Sequence, residues 1–227
     1  MGELLFKERD IVIPGEELAK GMDYIPGDAS FREEESIFSS KLGLVTLSGR
    51  LIKVIPLKGK YIPKEGDNII GSISDITLSG WRVKFGWAFD ANISLKDGTR
   101  DYVERGANLT QYYTHGDKII GKITKVAGSR IIDISMTAPG ARKLRDGRII
   151  ECLPSKVPRI IGKQGSMISL LKEKTHCNIL VGQNGKVWIS GEKPEDEILA
   201  IKAIRKIEKL AHLPGLTDTM KKFLEGE

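Results

Sequence analysis

One short segment occurs twice in this 227-residue chain, and it constrains the fold more than any other feature. Gly66-Asp67-Asn68-Ile69-Ile70-Gly71-Ser72-Ile73 is echoed by Gly116-Asp117-Lys118-Ile119-Ile120-Gly121-Lys122-Ile123. Two copies are too few for a solenoid. Each copy joins a Gly-Asp turn signal to a β-branched run, so the pair reads as two equivalent strands of one small barrel, each reached through a turn. The inner glycines, Gly71 and Gly121, suit strands that bend sharply, as a small closed barrel requires.

Between the copies the chain alternates cleanly. Trp81, Val83, Phe85, Trp87 and Phe89 share one face of an extended segment, and Arg82, Lys84, Gly86 and Ala88 share the other. Five large apolar side chains on one face belong in a barrel core, which turns Arg82 and Lys84 outward. A bend at Gly86 leaves the direction of Trp87 open.

The flanking regions have different textures. Residues 1–64 are rich in Gly and Pro, with short β-type runs at 44–47 and 51–55, and read as a small all-β domain. Residues 28–40 are polar and read as a loop. Residues 65–137 form the barrel, and 138–227 switch to mixed α and β signals. There, 148–153 read as a strand and 157–161 as a short helix. A helix follows from Ser166 to about Thr175. A hairpin over 178–181 and 186–190 turns at Gly182-Gln183-Asn184-Gly185, where Asn-Gly is a strong turn signal. A long helix runs over 194–210, with Ile198, Ile201, Ile204, Ile207 and Leu210 on one stripe and Lys202, Arg205, Lys206 and Lys209 on a solvated face.

The segment Val157-Pro158-Arg159-Ile160-Ile161-Gly162-Lys163-Gln164-Gly165-Ser166-Met167-Ile168 resembles the signature of a KH domain. The order β-α-GXXG-α-β-β-α over about 148–210 is that of a type I KH domain, a three-stranded sheet with three helices. A KH domain clamps about four nucleotides of single strand against its GXXG loop. Gly162 and Gly165 let a sugar-phosphate backbone approach closely, and the helix they open presents free amides to phosphate. Lys163 and Gln164 tip the loop and Arg159 precedes it. Ile160, Ile161 and Ile179 are candidates for an apolar groove under the bases.

Residues 65–137 resemble an S1 motif, a five-stranded OB-fold barrel that binds single-stranded RNA. Such a surface needs a cationic groove and flat side chains. Arg82, Lys84, Lys118, Lys122, Lys125 and Arg130 are candidates for the charge, and Tyr112 and Tyr113 for stacking. S1 motifs usually place an aromatic residue outward on the second strand, where Arg82 falls here, which favours backbone contacts over base stacking.

The order N-terminal β domain, S1, KH resembles the S1–KH cap subunits of the archaeal exosome. The opening Ile11-Val12-Ile13-Pro14-Gly15-Glu16-Glu17-Leu18, and Leu47-Ser48-Gly49 with Val54-Ile55-Pro56, fit that family too. The resemblance implies a non-catalytic subunit, three copies of which sit on a hexameric ring of RNase-PH-like subunits. There it captures single-stranded RNA 3′ ends and feeds them into the pore. No cofactor is implied. A free-standing S1/KH RNA chaperone or transcription/translation factor, and a pure scaffold, are the alternatives.

Composition agrees with an anionic partner: the net charge is +6, and the pI is about 9.2. No stretch approaches the ~20 apolar residues of a membrane span. The first twenty residues lack the pattern of a secretory signal, so a cytoplasmic protein is expected. His115, His176 and His212 are isolated, and no carboxylate cluster has ligand spacing, which speaks against a nuclease centre. Cys152 and Cys177 lack metal-ligand spacing and read as small buried hydrophobes.

Overall fold

The computed structural model describes residues 2–101, 103–104, 106–128, 131–211 and 215–225. Two compact units divide the chain, Met1–Gly59 and Lys60–Glu227. Candidate Arg130 and the isolated His212 lie outside the described residues.

The first unit is all β. Its strands are β1 (Glu3–Leu4), β2 (Ile11–Val12), β3 (Glu17–Lys20), β4 (Ile25–Pro26), β5 (Ser30–Glu33), β6 (Ser36–Ser39), β7 (Gly43–Ser48) and β8 (Leu51–Pro56). They form two four-stranded sheets, ordered β1-β3-β6-β5 and β2-β7-β8-β4. Val12, Leu18, Ala19, Ile37, Val45, Ile52 and Val54 make the core. The expectation of a loop over 28–40 fails, because β5 and β6 pair as an antiparallel hairpin. Burial decides the matter. Ile37 and Ser39 on β6 are fully buried, and the rings of Phe31 and Phe38 stack across the hairpin at 5.9 Å. The polar composition hid a two-residue period of inward positions.

In the second unit the repeated segments become β9 (Asn68–Thr77) and β12 (Lys118–Ala127). With β10 (Gly80–Lys84), β11 (Ala91–Ser94) and β13 (Ile131–Ser135) they close a five-stranded barrel through the β12–β13 pairing, and β14 (Arg142–Leu144) adds to the free side of β12. A four-residue helix, α1 (Leu95–Gly98), follows β11. The two repeats pair with each other, Ile70 opposite Ile120, so a local two-fold axis passes between them. Their turns obey it. The Gly66 N–H donates to the Ile123 carbonyl at 2.8 Å and the Gly116 N–H to the Ile73 carbonyl at 2.9 Å. Ile73 and Ile123 in turn donate to the Asp117 and Asp67 carbonyls, both at 2.8 Å.

Trp81, Val83 and Phe85 are buried as the alternation requires, while Arg82 and Lys84 are exposed. Trp87 packs part-buried against the core and Phe89 is exposed. The inner glycines meet a packing requirement. A Cβ on Gly71 would stand 2.5 Å from Val83 Cγ1, and one on Gly121 2.5 Å from Ile134 Cγ2, so the barrel interior is already filled at both symmetric positions.

The remainder is a KH domain with the order β15 (Arg148–Glu151), α2 (Val157–Ile161), α3 (Ser166–Thr175), β16 (Asn178–Val181), β17 (Lys186–Ser190), α4 (Pro194–Leu210). Its sheet runs β15-β17-β16, with both pairings antiparallel. The buried stripe of α4 is Glu197, Ala200, Ala203, Ile204 and Ile207, whereas Ile198 is 45% exposed. The isoleucine periodicity pointed about one position away from the core, because two small alanines permit the closer packing. An additional helix, α5 (Leu216–Glu225), buries Leu216 and Met220 in the same core. Lys206 lies 3.9 Å over the Phe223 ring, and Lys174 pairs with Glu225 at 2.9 Å. Both cysteines are buried, and burial pushes the Cys152 thiol up to about 11 and the Cys177 thiol upward.

Two outcomes follow from this packing. Gly71→Ala should destabilise the second unit by about 1–3 kcal/mol through overpacking, read as a lower urea midpoint. Both thiols should resist a disulfide reagent at about pH 8 and react fully once denaturant opens the KH core; a fast reaction in the native state would contradict the described burial.

Candidate nucleic-acid interface

Two surfaces of the second unit gather the candidate residues, and a third contact joins them. In the KH domain, α2 ends at Gly162 (φ 76°), whose absent Cβ would lie 2.6 Å from the Met167 amide. Gly162 is therefore fixed by the packing of the loop on α3. Gln164 (φ 53°) and Gly165 (φ 80°) are left-handed, and beside Gly165 only Ile168 Cγ2, at 3.8 Å, comes near a built Cβ. That glycine faces open space. Gly165 caps α3 without a side-chain hydrogen bond, and the first turn carries no acidic residue. The opening amides and the positive end of the helix dipole are thus left for an anion. Arg159, Lys163 and Gln164 are exposed around them.

Beside the loop runs a groove of about 300 Å³ lined by Pro154, Val157, Pro158, Ile161, Gly162 and Gln183. Ile161 is the groove isoleucine. Ile160 and Ile179 are fully buried in the KH core, so their side chains support the groove from beneath rather than line it. Gln183, a turn residue that no sequence motif marks, brings a polar group to an otherwise apolar wall. Its Oε1 is buried without a hydrogen-bond partner among the described residues.

On the barrel, strand register builds a transverse polar row. Arg82 of β10 stands opposite Asn92 of β11, Asn92 opposite Asp133 of β13, and Asp133 opposite Lys125 of β12. This row floors a groove of about 720 Å³ that Thr77, Lys96 and Thr124 also line. Of the expected barrel cations, Arg82 and Lys125 fall here. Lys84 and Lys118 instead flank Ser72 in a separate row, and Lys122 stands opposite Asn68. All three are exposed. Tyr112 and Tyr113 are part-buried, with their rings edge-on to Trp81 at 6.2 and 5.2 Å. The Tyr113 hydroxyl donates to the Gly98 carbonyl at 2.9 Å, and burial, helped by Asp117, pushes its pKa up. These two rings pack the barrel end. Asn92, Thr124 and Asp133 were missed because an isolated polar residue on a short strand carries no signal until the register is known.

The cations divide by pairing. Lys143 binds Asp117, Arg148 binds Glu197, Lys174 binds Glu225 and Arg205 binds Glu208. Among the described residues, Arg82, Lys84, Lys122, Lys125, Arg159 and Lys163 make no ion pair.

The two surfaces are held together at the centre of the repeat. Ile70 and Ile120 point out of the barrel and pack with Leu144 and with Trp188 of the KH sheet. Beyond the end of β10, the open edge of β9 is met by the β16–β17 turn. Asn184 Oδ1 accepts from the Ile70 N–H at 3.2 Å, and its Nδ2 donates to the Ile70 and Phe85 carbonyls, both at 2.8 Å. The Gln183 N–H donates to the Asn68 carbonyl at 2.8 Å. One side-chain amide thus replaces a strand partner, satisfying backbone groups that would otherwise be stranded at the contact.

A β unit, an OB-type barrel and a KH domain in that order define a modular protein of the S1–KH class. The KH domain family profile matches residues 147–195, and the profile of the exosome RNA binding protein RRP4 N-terminal domain matches residues 9–58. The chain is 42% identical over 222 residues to the exosome complex component Rrp4 of Methanothermus fervidus, covering 97% of each. To its counterpart in Thermococcus kodakarensis it is 41% identical over 229 residues, covering 99% of this chain and 88% of that one. A crystal structure assigned to an exosome complex RNA-binding protein matches 74% of this chain and 96% of its own, with a TM-score of 0.65 and 30% identity. The chain belongs to the Rrp4 family of exosome complex components.

Asn184→Ala should destabilise the second unit by about 2–3 kcal/mol, as three hydrogen bonds and their buried backbone partners are lost. Urea unfolding followed by tryptophan fluorescence, to which Trp188 in the contact contributes, reads the effect.

Proposed function

We propose that this chain is a non-catalytic RNA-binding subunit of an exosome, capturing single-stranded RNA 3′ ends and delivering them to the pore of a phosphorolytic 3′-5′ exoribonuclease ring. One observation carries the RNA part: an exposed lysine at the tip of a left-handed glycine loop, over a helix start free of side-chain caps and acidic residues, beside an apolar groove. That arrangement suits a phosphate followed by an unstacked base. Gly162, Lys163, Gln164, Gly165 and Arg159 contact the strand in this reading, with Ile160 supporting the groove floor. On the barrel Arg82 is the principal contact. Lys84 and Lys122 add charge outside the groove, Arg130 stays a candidate on its charge alone, and Tyr112 serves through packing.

In this reading residues 1–64 anchor the chain, and 65–137 and 138–227 hold RNA. An exposed apolar row on the first unit supports anchoring. Ile11, Leu44 and Ile55 align across β2, β7 and β8, with Ile11 and Ile55 more than half exposed. Three copies would sit on a hexameric ring of RNase-PH-like subunits in the cytoplasm, and catalysis would belong to the ring, with no cofactor here. Among the described residues no helix is long and apolar enough to cross a membrane. Holding RNA beside the pore would raise its effective concentration there.

The test is binding of a fluorescent unstructured RNA across a salt series, with a Lys163→Asp/Gln164→Asp variant alongside. Log affinity should fall linearly with log salt, by about 0.7 per phosphate contacted. The variant should bind about tenfold more weakly or worse, since two acids repel phosphate at the helix start. Equal binding by the variant would remove the KH loop from the site. Failure to co-migrate with the hexameric ring would favour a free-standing S1/KH RNA factor.

A further inference from the structure

Past Ile120, which packs against Trp188, β12 leaves Lys122, Thr124 and Lys125 exposed. We infer that a single strand of RNA follows one continuous track across this unit, from the KH groove along β12 into the barrel groove, with Lys122 as the stepping-stone. This rests on the RNA-binding reading above and adds its path.

The track is built from register and hydrogen bonds. At its KH end Gln183 lines the groove, and its N–H is bonded to the Asn68 carbonyl. Asn68 is exposed and stands directly opposite Lys122 on β12. Along β12 the inward positions are Ile119, Gly121 and Ile123, and the outward ones are Ile120, Lys122 and Thr124. Ile120 is covered by Trp188. Lys122, one outward position further on, is where that face comes free of the KH domain. The bulge after Ile123 then turns Lys125 outward beside Thr124, and both line the barrel groove. The row Lys125, Asp133, Asn92, Arg82 carries the path across the remaining strands. At ~3.3 Å per residue and ~4.8 Å between strands, the route from Lys122 to Arg82 is roughly 25 Å.

Charge and satisfaction favour a nucleic-acid strand over other occupants. Lys122, Lys125 and Arg82 lie at intervals along the path, each without an ion pair among the described residues, which suits phosphates spaced along one strand. The unpartnered Gln183 Oε1 at the KH end suits a base amino or imino group, the donor that a phosphate lacks. Because Asn184 ties the turn to β9, the two grooves keep a fixed spacing, so an RNA filling one is already positioned for the other.

The experiment measures affinity of the full-length chain for fluorescent oligoribonucleotides of about four to about sixteen nucleotides, a range running from one KH site to both modules. Affinity should rise steeply once the RNA is long enough to reach the barrel groove. Lys122→Glu should cut the gain in affinity from the shortest to the longest RNA by about tenfold or more. A 4-thiouridine placed mid-strand should cross-link to the β12 peptide, a readout that does not depend on the variant. Two separate sites, rather than one track, would show as an unchanged length dependence in Lys122→Glu with no β12 cross-link. If wild type bound no RNA of any length, the RNA-binding reading itself would fall.

Discussion

The pairing of Ile70 with Ile120 is the contact on which the second unit depends. At that point the two copies of the repeat cross, and each lends its turn glycine and its strand isoleucine to the other in reciprocal hydrogen bonds. Inward, the neighbouring Ile69, Ile73, Ile119 and Ile123 fill the barrel. Outward, the same pair makes the seat for Trp188. A strand that is apolar on both faces at its centre is buried on both, and here the second face is covered by another domain. The same strand pair thus serves both the barrel and the docking of the KH sheet, and the Asn184 amide completes the backbone ladder where no strand is available.

This arrangement explains why the candidate RNA surfaces are polar rather than aromatic. Four large rings of the barrel are engaged: Trp81 and Phe85 in the core, Tyr112 and Tyr113 against Trp81. The candidate surfaces are lined instead by a row of one acid, one amide and two cations on the barrel, and by a lysine over a helix start on the KH domain. Such surfaces hold a strand through its backbone, so affinity should be strongly salt-dependent while discrimination among bases is modest. Asp133 within the barrel row and Gln183 at the KH groove are the places where a base edge would be read by an acceptor.

Much of this was legible in the sequence, for identifiable reasons. The repeat, the alternation from Trp81 to Phe85 and the GXXG segment each express a period or a backbone requirement that only a few structures meet. The hairpin β5–β6 was not legible, because its inward positions are a serine and a lone isoleucine within a polar run. The α4 stripe was displaced, because alanines at a helix crossing carry little hydrophobic signal although they sit deepest. Among site residues, outward cations could be assigned to strands but not to grooves. That Lys125 joins Arg82 in one groove is set by cross-strand register, and Lys84, two residues along the same strand as Arg82, does not line that groove. Asn184 was visible only as half of an Asn-Gly turn, and its bonds to Ile70 and Phe85 span more than ninety positions of sequence.

A single RNA strand lying across both grooves of the second unit would leave a footprint on each. Amide hydrogen exchange of the full chain, with and without a saturating single-stranded oligoribonucleotide long enough to span both grooves, tests it most directly. Slower exchange is expected in two segments at once, the GXXG loop with the first turn of α3 and the strands β10 to β13, while the β sheets of the first unit are unchanged. Protection confined to the first unit, or none in either groove, would contradict it.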